Sequence, residues 1–312
     1  MARVLLTRPL PEGWTDPLTD SGHEVVVVEE GGSDLTPLVG DVEGVLCMLT
    51  DHLDAGVLEA GAAGRLRVVS VAAVGYDNID VAAAARLGIA VCNTPGILDE
   101  TTADLAFLLI LAAGRLASGA EADLRAGRWT GWGITDHLGR DIHGTCLGLV
   151  GYGRIARAVA RRAEGFGMEV LHHTRTATGR PGYVAALPDL LASADTVSLH
   201  VPLTPATRNL IGAAELAAMK PTAVLVNTAR GPVVDEIALA RALEAGELHA
   251  AGLDVYSGEP AVHPALLNAP RTVLLPHVGS ATVETRTAMA QMAARAICDV
   301  LAGDTPEHLV RP

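Results

Sequence analysis

The chain has 312 residues, enough for about two domains with hydrophobic cores of their own. Lys and Arg number 23 against 36 Asp and Glu, and this net charge of −13, without basic clusters, argues against binding to nucleic acid or to an anionic membrane. Hydrophobic residues make up 49% of the chain and aromatic residues only 3%, so we expect a core built mainly from Ala, Val, Leu and Ile.

The sequence has no segment typical of membrane insertion or export. The longest uninterrupted apolar run, Leu105 to Gly114, is about half of the roughly 20 residues that cross a bilayer. The apolar stretch at the N-terminus is too short for the core of a signal peptide. The cysteines lie far apart and form no CxxC pair: Cys47, Cys92, Cys146 and Cys298. We therefore expect no membrane association, and reduced, mostly buried thiols in a cytoplasmic protein.

Short β-branched runs alternate with helical patterns through the first hundred residues. This rhythm is typical of βα units around a parallel sheet, with a helix over Ala55 to Gly61 as one example. The predicted strands are Val4 to Leu6, Val25 to Val28, Gly44 to Met48 and Arg67 to Val71.

A long helix is predicted next, over Asp99 to Ala117, with Asp99 or Thr101 as its cap. Its interior is apolar almost all round, so we expect it to be buried on more than one side, between domains or subunits. The segment Arg128 to His143 has no periodicity and is predicted to be a long connection.

A second α/β series follows and ends in a long helical pattern over Ala281 to Leu301. Its predicted strands are Cys146 to Val150, Glu169 to His172, Thr196 to Leu199, Ala223 to Asn227, Ala250 to Asp254 and Thr272 to Leu274.

The first strand of this second series leads into a glycine-rich turn and then a helix. Gly151, Gly153 and Ala156 match the GxGxxG/A dinucleotide fingerprint in its strand, turn and helix context. Gly151 allows the tight turn, Gly153 lets the backbone approach a pyrophosphate, and Ala156 permits close packing of helix on strand. The N-terminus of the helix then offers unpaired N–H groups to the anion.

The end of the next strand, about 20 residues further on, carries an acidic residue in NAD-specific sites. Here Thr174 stands in that place, followed by Arg175 and Thr176. A cation and a hydroxyl without a carboxylate suit a 2′-phosphate, so we favour NADP(H), with NAD(H) possible if Arg175 only stacks on the adenine. The neighbouring His172 and His173 point to opposite faces of a strand, so a metal site is not expected.

Three ionisable residues follow strands of the second series, where ligands collect in open α/β sheets. Each alone has a structural explanation, but together Arg230, Glu259 and His277 suit hydride delivery to a carbonyl. Imidazole titrates near neutral pH, so His277 is the candidate proton donor. Glu259 would stabilise its protonated form, and Arg230 offers a planar fork for a substrate carboxylate or carbonyl oxygen.

These features resemble the D-isomer-specific 2-hydroxyacid dehydrogenases, and within that family the chain is most similar to glyoxylate and hydroxypyruvate reductases. The resemblance covers nearly the whole chain. It rests on the motifs LTDHLD, AVGYDNID, NTPGILDETTADLAF, GLVGYGRIARAVARR, HHTRT, VPLTPATRNLI, VNTARGPVVDE, AAGLDVYSGEP and LLPHVGSAT.

The resemblance implies a role for each matching position. Arg230 would bind substrate, Glu259 would pair with His277, and His277 would act as acid and base. The substrate would also be bound by Leu49, Thr50, Val74 and Gly75. The cofactor would be bound by Thr102, Gly151, Gly153, Arg154, Ile155, Thr174, Arg175, Thr176, Val201, Pro202, Thr228, Ala229, Arg230, Asp254, His277, Gly279 and Ser280.

The resemblance also implies two Rossmann-like or flavodoxin-like α/β domains with parallel sheets and an active site in the cleft between them. Residues 1–98 and 287–312 would form a discontinuous substrate-binding domain, and residues 99–286 the dinucleotide-binding domain. A homodimer is expected, with the helix from Asp99 partly in its interface.

Several functions stay open at this point. The leading one is reduction of a small 2-keto acid, glyoxylate or hydroxypyruvate, to the D-2-hydroxy acid. A dehydrogenase for a bulkier keto acid, a phosphoglycerate-dehydrogenase-like enzyme and an NAD(H)-sensing corepressor-like protein are the alternatives. Glu259 argues against formate dehydrogenases, which usually have Gln there.

Overall fold

The computed structural model describes residues 1–29, 31 and 34–311. The chain divides into two compact units, unit 1 with Met1–Leu98 and Ser280–Pro312, and unit 2 with Asp99–Gly279. The second boundary follows Gly279 rather than the expected residue 286, because the last helix begins at Val283 and packs within unit 1. Pro312, the last residue of the expected substrate domain, lies outside the described residues.

Unit 1 contains a five-stranded parallel sheet with the strand order β2-β1-β3-β4-β5, a flavodoxin-like order. Its strands are β1 (Arg3–Leu6), β2 (Glu24–Val27), β3 (Gly44–Cys47), β4 (Val68–Val71) and β5 (Ala90–Cys92). Its helices are α1 (Asp16–Asp20), α2 (Ala55–Ala63), α3 (Val81–Leu87) and α11 (Val283–Ala302), with a 3-10 turn at Val39–Asp41.

Unit 2 contains a six-stranded parallel sheet with the order β11-β10-β9-β8-β6-β7. Its strands are β6 (Cys146–Val150), β7 (Glu169–His173), β8 (Thr196–Leu199), β9 (Val224–Asn227), β10 (Ala250–Leu253) and β11 (Thr272–Leu274). Its helices are α4 (Asp99–Gly114), α5 (Ala117–Arg125), α6 (Arg154–Gly165), α7 (Leu187–Ser193), α8 (Ala213–Ala218), α9 (Glu236–Ala245) and α10 (Pro264–Leu267), with a 3-10 turn at Gly231–Val233.

Each sheet is covered by helices on both faces, as the continuous apolar strands predict. In unit 1 one core lies under α2 and α3, and the other lies under α11, which contributes Ala293, Ala294 and Ile297. In unit 2 one core contains side chains of α7 to α10, and the other contains side chains of α4 and α6. The predicted α/β class with parallel sheets is confirmed.

The long helix predicted over Asp99 to Ala117 is wrong in its extent. Helix α4 ends at Gly114, and Leu116 adopts a left-handed φ of 53° before α5 continues at an angle of 69°. The carbonyl of Gly114 accepts hydrogen bonds from the amide of Arg140 at 2.8 Å and from His249 Nε2 at 3.2 Å, so it is not free to continue a helix. Asp99 is the first residue of α4 rather than its cap.

Within the part of the chain that the structure describes, no single helix has both the length and the apolar character to cross a membrane. Helices α4 and α5 meet that test only as a bent pair, by length and composition alone.

Candidate active site

The candidate cofactor residues lie where the strands of unit 2 end, at one edge of its sheet. The strand order reverses between β6 and β8, and ligands of doubly wound sheets bind at such a reversal, outside the carboxyl ends of the strands. Residues following successive strands are Gly151 and Gly153 after β6, Thr174 to Thr176 after β7, Val201 and Pro202 after β8, Thr228 to Arg230 after β9, Asp254 after β10, and His277 and Gly279 after β11. Unit 2 therefore brings the predicted cofactor residues of six strands to one edge.

The glycine turn after β6 has the conformation that a phosphate-binding turn requires. Gly151 has a φ of 90°, and a Cβ atom there would lie 2.5 Å from the carbonyl oxygen of His200, so only glycine fits. Gly153 precedes α6, and a Cβ atom there would meet no atom within 4 Å. The space in front of Gly153 is thus open, and the first amides of α6 point toward it without capping from a side chain.

Two further observations agree with a bound dinucleotide. The side chain of Arg154, at the first position of α6, is 56% exposed and pairs with Asp99 at 3.3 Å. The hydroxyl of Thr228 is buried and has no hydrogen-bond partner among the described residues, so it is available to bond a ligand. The residues present therefore fit a dinucleotide cofactor.

The segment after β7 contains the residues expected at the adenosine ribose. The hydroxyl of Thr174 donates to the carbonyl of Thr176 at 2.7 Å and so folds the chain into a turn. Arg175 and Thr176 are exposed. The side chain of Arg175 makes no hydrogen bond or ion pair with any residue the structure describes.

Arg230 is positioned by the turn that follows β9. Asn227 Oδ1 accepts from the amide of Ala229 at 3.0 Å, and its Nδ2 donates to the carbonyl of Arg230 at 2.9 Å. A Cβ atom at Gly231 would overlap the backbone of Tyr256, so glycine at this position lets the two loops touch. This approach places Arg230 near the loop that carries Glu259.

Glu259 and His277 form a direct pair. Nδ1 of His277 lies 2.7 Å from Oε2 of Glu259, and the two side chains are about a quarter exposed, at 25% and 23%. The other carboxylate oxygen, Oε1, accepts from the amide of Tyr256 at 2.8 Å. With Nδ1 committed to Glu259, Nε2 is the ring atom that can exchange a proton with a substrate.

Electrostatics keep Glu259 ionised. Burial acts to raise the pKa of Glu259, but the hydrogen bonds from His277 and from the Tyr256 amide, with the charges of His277 and Arg230, outweigh burial and lower it. Arg230 is therefore within electrostatic reach of Glu259. The structure brings Arg230, Glu259 and His277 together as one cluster.

Asp254 holds the backbone that carries His277. Its carboxylate accepts from the amides of Val278 at 2.7 Å and Gly279 at 2.8 Å, and its carbonyl accepts from the amide of His277 at 2.8 Å. These bonds support the left-handed φ of 53° at His277. Burial raises the pKa of Asp254, and the two amides oppose that rise.

Thr102 of α4 lies beside this backbone. It is 5% exposed, and a Cβ atom on Gly279 would lie 3.5 Å from its Cγ2. Ser280, the next expected cofactor residue, is the first residue of the second segment of unit 1.

The expected substrate residues all belong to unit 1, where they follow two neighbouring strands. Leu49 and Thr50 come after β3, and Val74 and Gly75 come after β4. Asn78 connects the two segments, since its Nδ2 donates to the carbonyls of Met48 at 3.1 Å and Asp51 at 2.7 Å. Thr50 and Asp51 also accept from Arg8, at 2.8 Å and 2.9 Å.

Sequence reasoning missed several residues that organise this edge. Asn227 shapes the loop of Arg230, and Tyr256 shapes the loop of Glu259. Only Asn227 has a signal in the sequence, because an asparagine at the end of a strand is typical of a turn. For His172 the sequence pattern indicates only that it does not form a metal pair with His173. It is fully buried, its ring stacks on Tyr152 of the glycine turn, and its Nε2 pairs with the Thr178 hydroxyl.

The doubly wound sheet, the glycine turn and the cluster of Arg230, Glu259 and His277 together define a dehydrogenase that uses a nicotinamide cofactor.

Comparison with known proteins agrees with this class. Residues 107–279 match the family model described as D-isomer specific 2-hydroxyacid dehydrogenase, NAD binding domain. The chain is 42% identical to a glyoxylate reductase from Thermococcus gammatolerans, over 99% of this chain and 95% of that relative.

Solved structures are also similar. A protein from Thermus thermophilus superposes with a TM-score of 0.93 at 42% identity, over 99% of this chain and 100% of that one. An NADPH-dependent glyoxylate/hydroxypyruvate reductase from Sinorhizobium meliloti, in complex with NADP and malonate, has a TM-score of 0.88 at 36% identity, over 99% of this chain and 96% of that one. The chain belongs to the D-isomer specific 2-hydroxyacid dehydrogenase family, as its motifs predict.

Proposed function

We propose that this enzyme reduces glyoxylate or hydroxypyruvate to the corresponding D-2-hydroxy acid, with NADPH preferred over NADH. The hydrogen bond of 2.7 Å between His277 Nδ1 and Glu259 Oε2, beside Arg230, carries this proposal. The relative from Thermococcus gammatolerans and the structure from Sinorhizobium meliloti support the choice of substrate, since both are named for reduction of glyoxylate.

His277 is the proposed proton donor. The ionised Glu259 holds the ring through Nδ1 and stabilises its protonated form, so Nε2 carries the proton that the reaction consumes. As the keto group becomes an alkoxide, this proton moves from Nε2 to the carbonyl oxygen. The neutral ring that remains keeps its contact with Glu259 and can regain a proton from solvent.

Arg230 is proposed to bind the substrate, because a guanidinium recognises a carboxylate or a polarised carbonyl oxygen with two parallel donors. The backbone amides of Val74 and Gly75 are proposed to bind the substrate carboxylate, and Leu49 and Thr50 to line its pocket. When bound, the nicotinamide supplies the hydride that adds to the keto carbon.

The cofactor is proposed to lie along the edge formed by the strand ends of unit 2. Gly151, Gly153, Arg154 and Ile155 would hold its pyrophosphate, and the Thr228 hydroxyl and Asp254 would lie toward the nicotinamide. The preference for NADPH rests on Thr174 in place of an acidic residue and on the exposed Arg175, whose side chain has no ion pair among the described residues. The other proposed cofactor residues are Thr102, Thr176, Val201, Pro202, Ala229, Gly279 and Ser280.

Initial rates with glyoxylate, hydroxypyruvate, pyruvate and phenylpyruvate, each with NADPH and with NADH, test the proposal. We expect kcat/KM for glyoxylate or hydroxypyruvate with NADPH to exceed that for phenylpyruvate by about tenfold or more, a difference of about 1.4 kcal/mol. A preference for the aryl substrate, or no turnover of any keto acid, would contradict it. The variant His277→Asn, which should lose turnover, controls for background reduction.

The assembly is proposed to be a cytoplasmic homodimer. Large apolar side chains are exposed along one segment of unit 2, with Trp132 81% and Ile134 77% exposed. The four cysteines are all free thiols, as a reducing compartment requires. Light scattering coupled to size-exclusion chromatography measures the mass, and a monomer at micromolar concentration would contradict the dimer.

A further inference from the structure

The loop from Thr174 to Gly182 leaves β7 and returns to pair beside it. His172 and Tyr183 form an isolated parallel bridge, in which the amide of His172 donates to the carbonyl of Gly182 at 2.7 Å and the amide of Val184 donates to the carbonyl of His172 at 2.8 Å. Both ends of the loop are therefore fixed to the same strand.

The side chain of His172 connects this loop to the glycine turn. The His172 ring is fully buried and stacks on Tyr152, which lies between Gly151 and Gly153, with ring centroids 3.9 Å apart and planes within 18°. Its Nε2 lies 2.7 Å from the Thr178 hydroxyl, at the middle of the loop. His172 thus contacts both segments that are proposed to hold the phosphates of the cofactor.

Thr178 connects His172 to the second half of the loop through two hydrogen bonds of its hydroxyl. The Thr178 hydroxyl accepts from the amide of Arg180 at 3.2 Å while it pairs with His172. The two bonds fix the turn that ends in Arg180. Burial, then the charge of Arg180, lowers the pKa of His172, and both effects favour the neutral ring.

The charged side chains of the loop are all positive. From Val170 to Pro188 the chain contains Arg175 and Arg180 but no Asp or Glu. Neither arginine side chain forms an ion pair with a residue that the structure describes. A loop with two available guanidinium groups and no competing carboxylate suits a dianionic phosphate.

We propose that His172 is a positioning residue for cofactor selection: through Thr178 it holds the 174–182 loop in the shape that lets Arg175 and Arg180 bind the 2′-phosphate of NADPH. This proposal rests on the proposed preference for NADPH. It attributes that preference to the hydrogen bond between His172 and Thr178 as well as to Arg175.

Two adenosine fragments test this on the full chain without turnover. Adenosine 2′,5′-bisphosphate carries the 2′-phosphate and 5′-AMP lacks it, and calorimetry measures the Kd of each. In Thr178→Val, which keeps the shape of the side chain and removes the hydroxyl, we expect binding of the bisphosphate to weaken about tenfold and binding of 5′-AMP to change less than about twofold. Thr178→Ser, which keeps the hydroxyl, should bind both fragments like the wild type.

A second variant separates this role from a general structural one. His172→Phe keeps an aromatic ring against Tyr152 and loses the bond to Thr178, so it should show the same selective loss. The double variant should lose no more than Thr178→Val alone, because that substitution already removes the hydrogen bond to His172. Unfolding temperatures of the variants check that the chain remains folded.

The outcomes are distinct. The proposed role of His172 is overturned if Thr178→Val weakens binding of both fragments equally or of neither. It is also overturned if Thr178→Ser does not bind like the wild type, or if the two losses add in the double variant. In each of these cases the NADPH preference of the wild type still stands. If the wild type binds the two fragments with the same Kd, the proposed NADPH preference fails and the inference fails with it.

Discussion

Replacing Glu259 by Gln tests the electrostatic coupling in the proposed proton donor. The substitution keeps the size of the side chain and the acceptor for the Tyr256 amide, but it removes the negative charge that lies 2.7 Å from His277 Nδ1. The hydrogen bond and the charge of His277 both act to lower the pKa of Glu259, so the group that contacts Nδ1 is an ionised carboxylate. Its replacement by a neutral amide should therefore weaken the bond that holds the proposed proton donor.

The size of the effect follows from the hydrogen bond. A hydrogen bond to a charged group contributes about 1.5–3 kcal/mol and a neutral one about 0.5–1.5 kcal/mol. The difference of about 1–2 kcal/mol corresponds to a loss of roughly 5- to 30-fold in kcat/KM for reduction. Because the two side chains are 25% and 23% exposed, solvent screens part of their attraction, and we expect the lower part of that range near neutral pH.

The assay is the pH profile of kcat/KM for hydroxypyruvate reduction. Reduction consumes a proton, so the loss of rate in Glu259→Gln should be largest on the alkaline side of the profile. Glu236→Gln is the matched control, since its Oε1 accepts from the amide of Ser257 at 2.6 Å in the same loop and has no contact with His277 among the described residues. A profile of unchanged shape in Glu259→Gln would refute the coupling.

Three further predictions concern the cofactor edge. Arg175→Ala should weaken NADPH by about 1–3 kcal/mol and leave NADH nearly unchanged, and equal losses in Kd for both cofactors would exclude a role at the 2′-phosphate. Gly151→Ala must hold a φ of 90° with its methyl group 2.5 Å from the His200 carbonyl oxygen, so cofactor affinity should fall by about tenfold, whereas Gly119→Ala, whose methyl group meets no atom within 4 Å, should change nothing. Burial lowers the pKa of His200 from 6.5 to about 4, so the unfolded chain binds a proton there that the folded chain does not, and stability should fall as pH drops from 6.5 toward 4. At about 1.4 kcal/mol per pKa unit this loss is about 3 kcal/mol as an upper limit, and His200→Gln should flatten the slope in urea unfolding between pH 4 and 7.

The sequence was most informative where one local pattern determines the structure. The run from Cys146 through Gly151 and Gly153 predicts a strand, a turn and a helix, and the structure has them as β6, the glycine turn and α6. The strand ends that carry Arg230, Glu259 and His277 were predicted in the same way, because a parallel sheet brings all its carboxyl ends to one edge.

Features set by distant partners were not predictable. Helix α4 ends at Gly114 because Arg140 and His249 take its carbonyl, and nothing near Gly114 in the sequence signals those bonds. Strand β5 is not among the predicted strands, because it has only three residues and follows an alanine-rich segment typical of a helix. Its pairing with β4 and the bridge from Cys92 to Leu309 are contacts with distant parts of the chain.

The arrangement of side chains within the site also depended on tertiary contacts. Burial of His172 between Tyr152 and Tyr183, with Thr178 at its Nε2, joins three segments that a strand pattern treats separately. The close approach of Gly231 to Tyr256 likewise depends on how two loops meet.

Chiral analysis of the product formed from hydroxypyruvate and NADPH is a direct test of the proposed reaction. We expect one equivalent of D-glycerate for each NADPH oxidised by the wild-type enzyme, and none from His277→Asn that still binds NADPH. Formation of L-glycerate, turnover by His277→Asn at the wild-type rate, or absence of any NADPH oxidation by the wild type would contradict it.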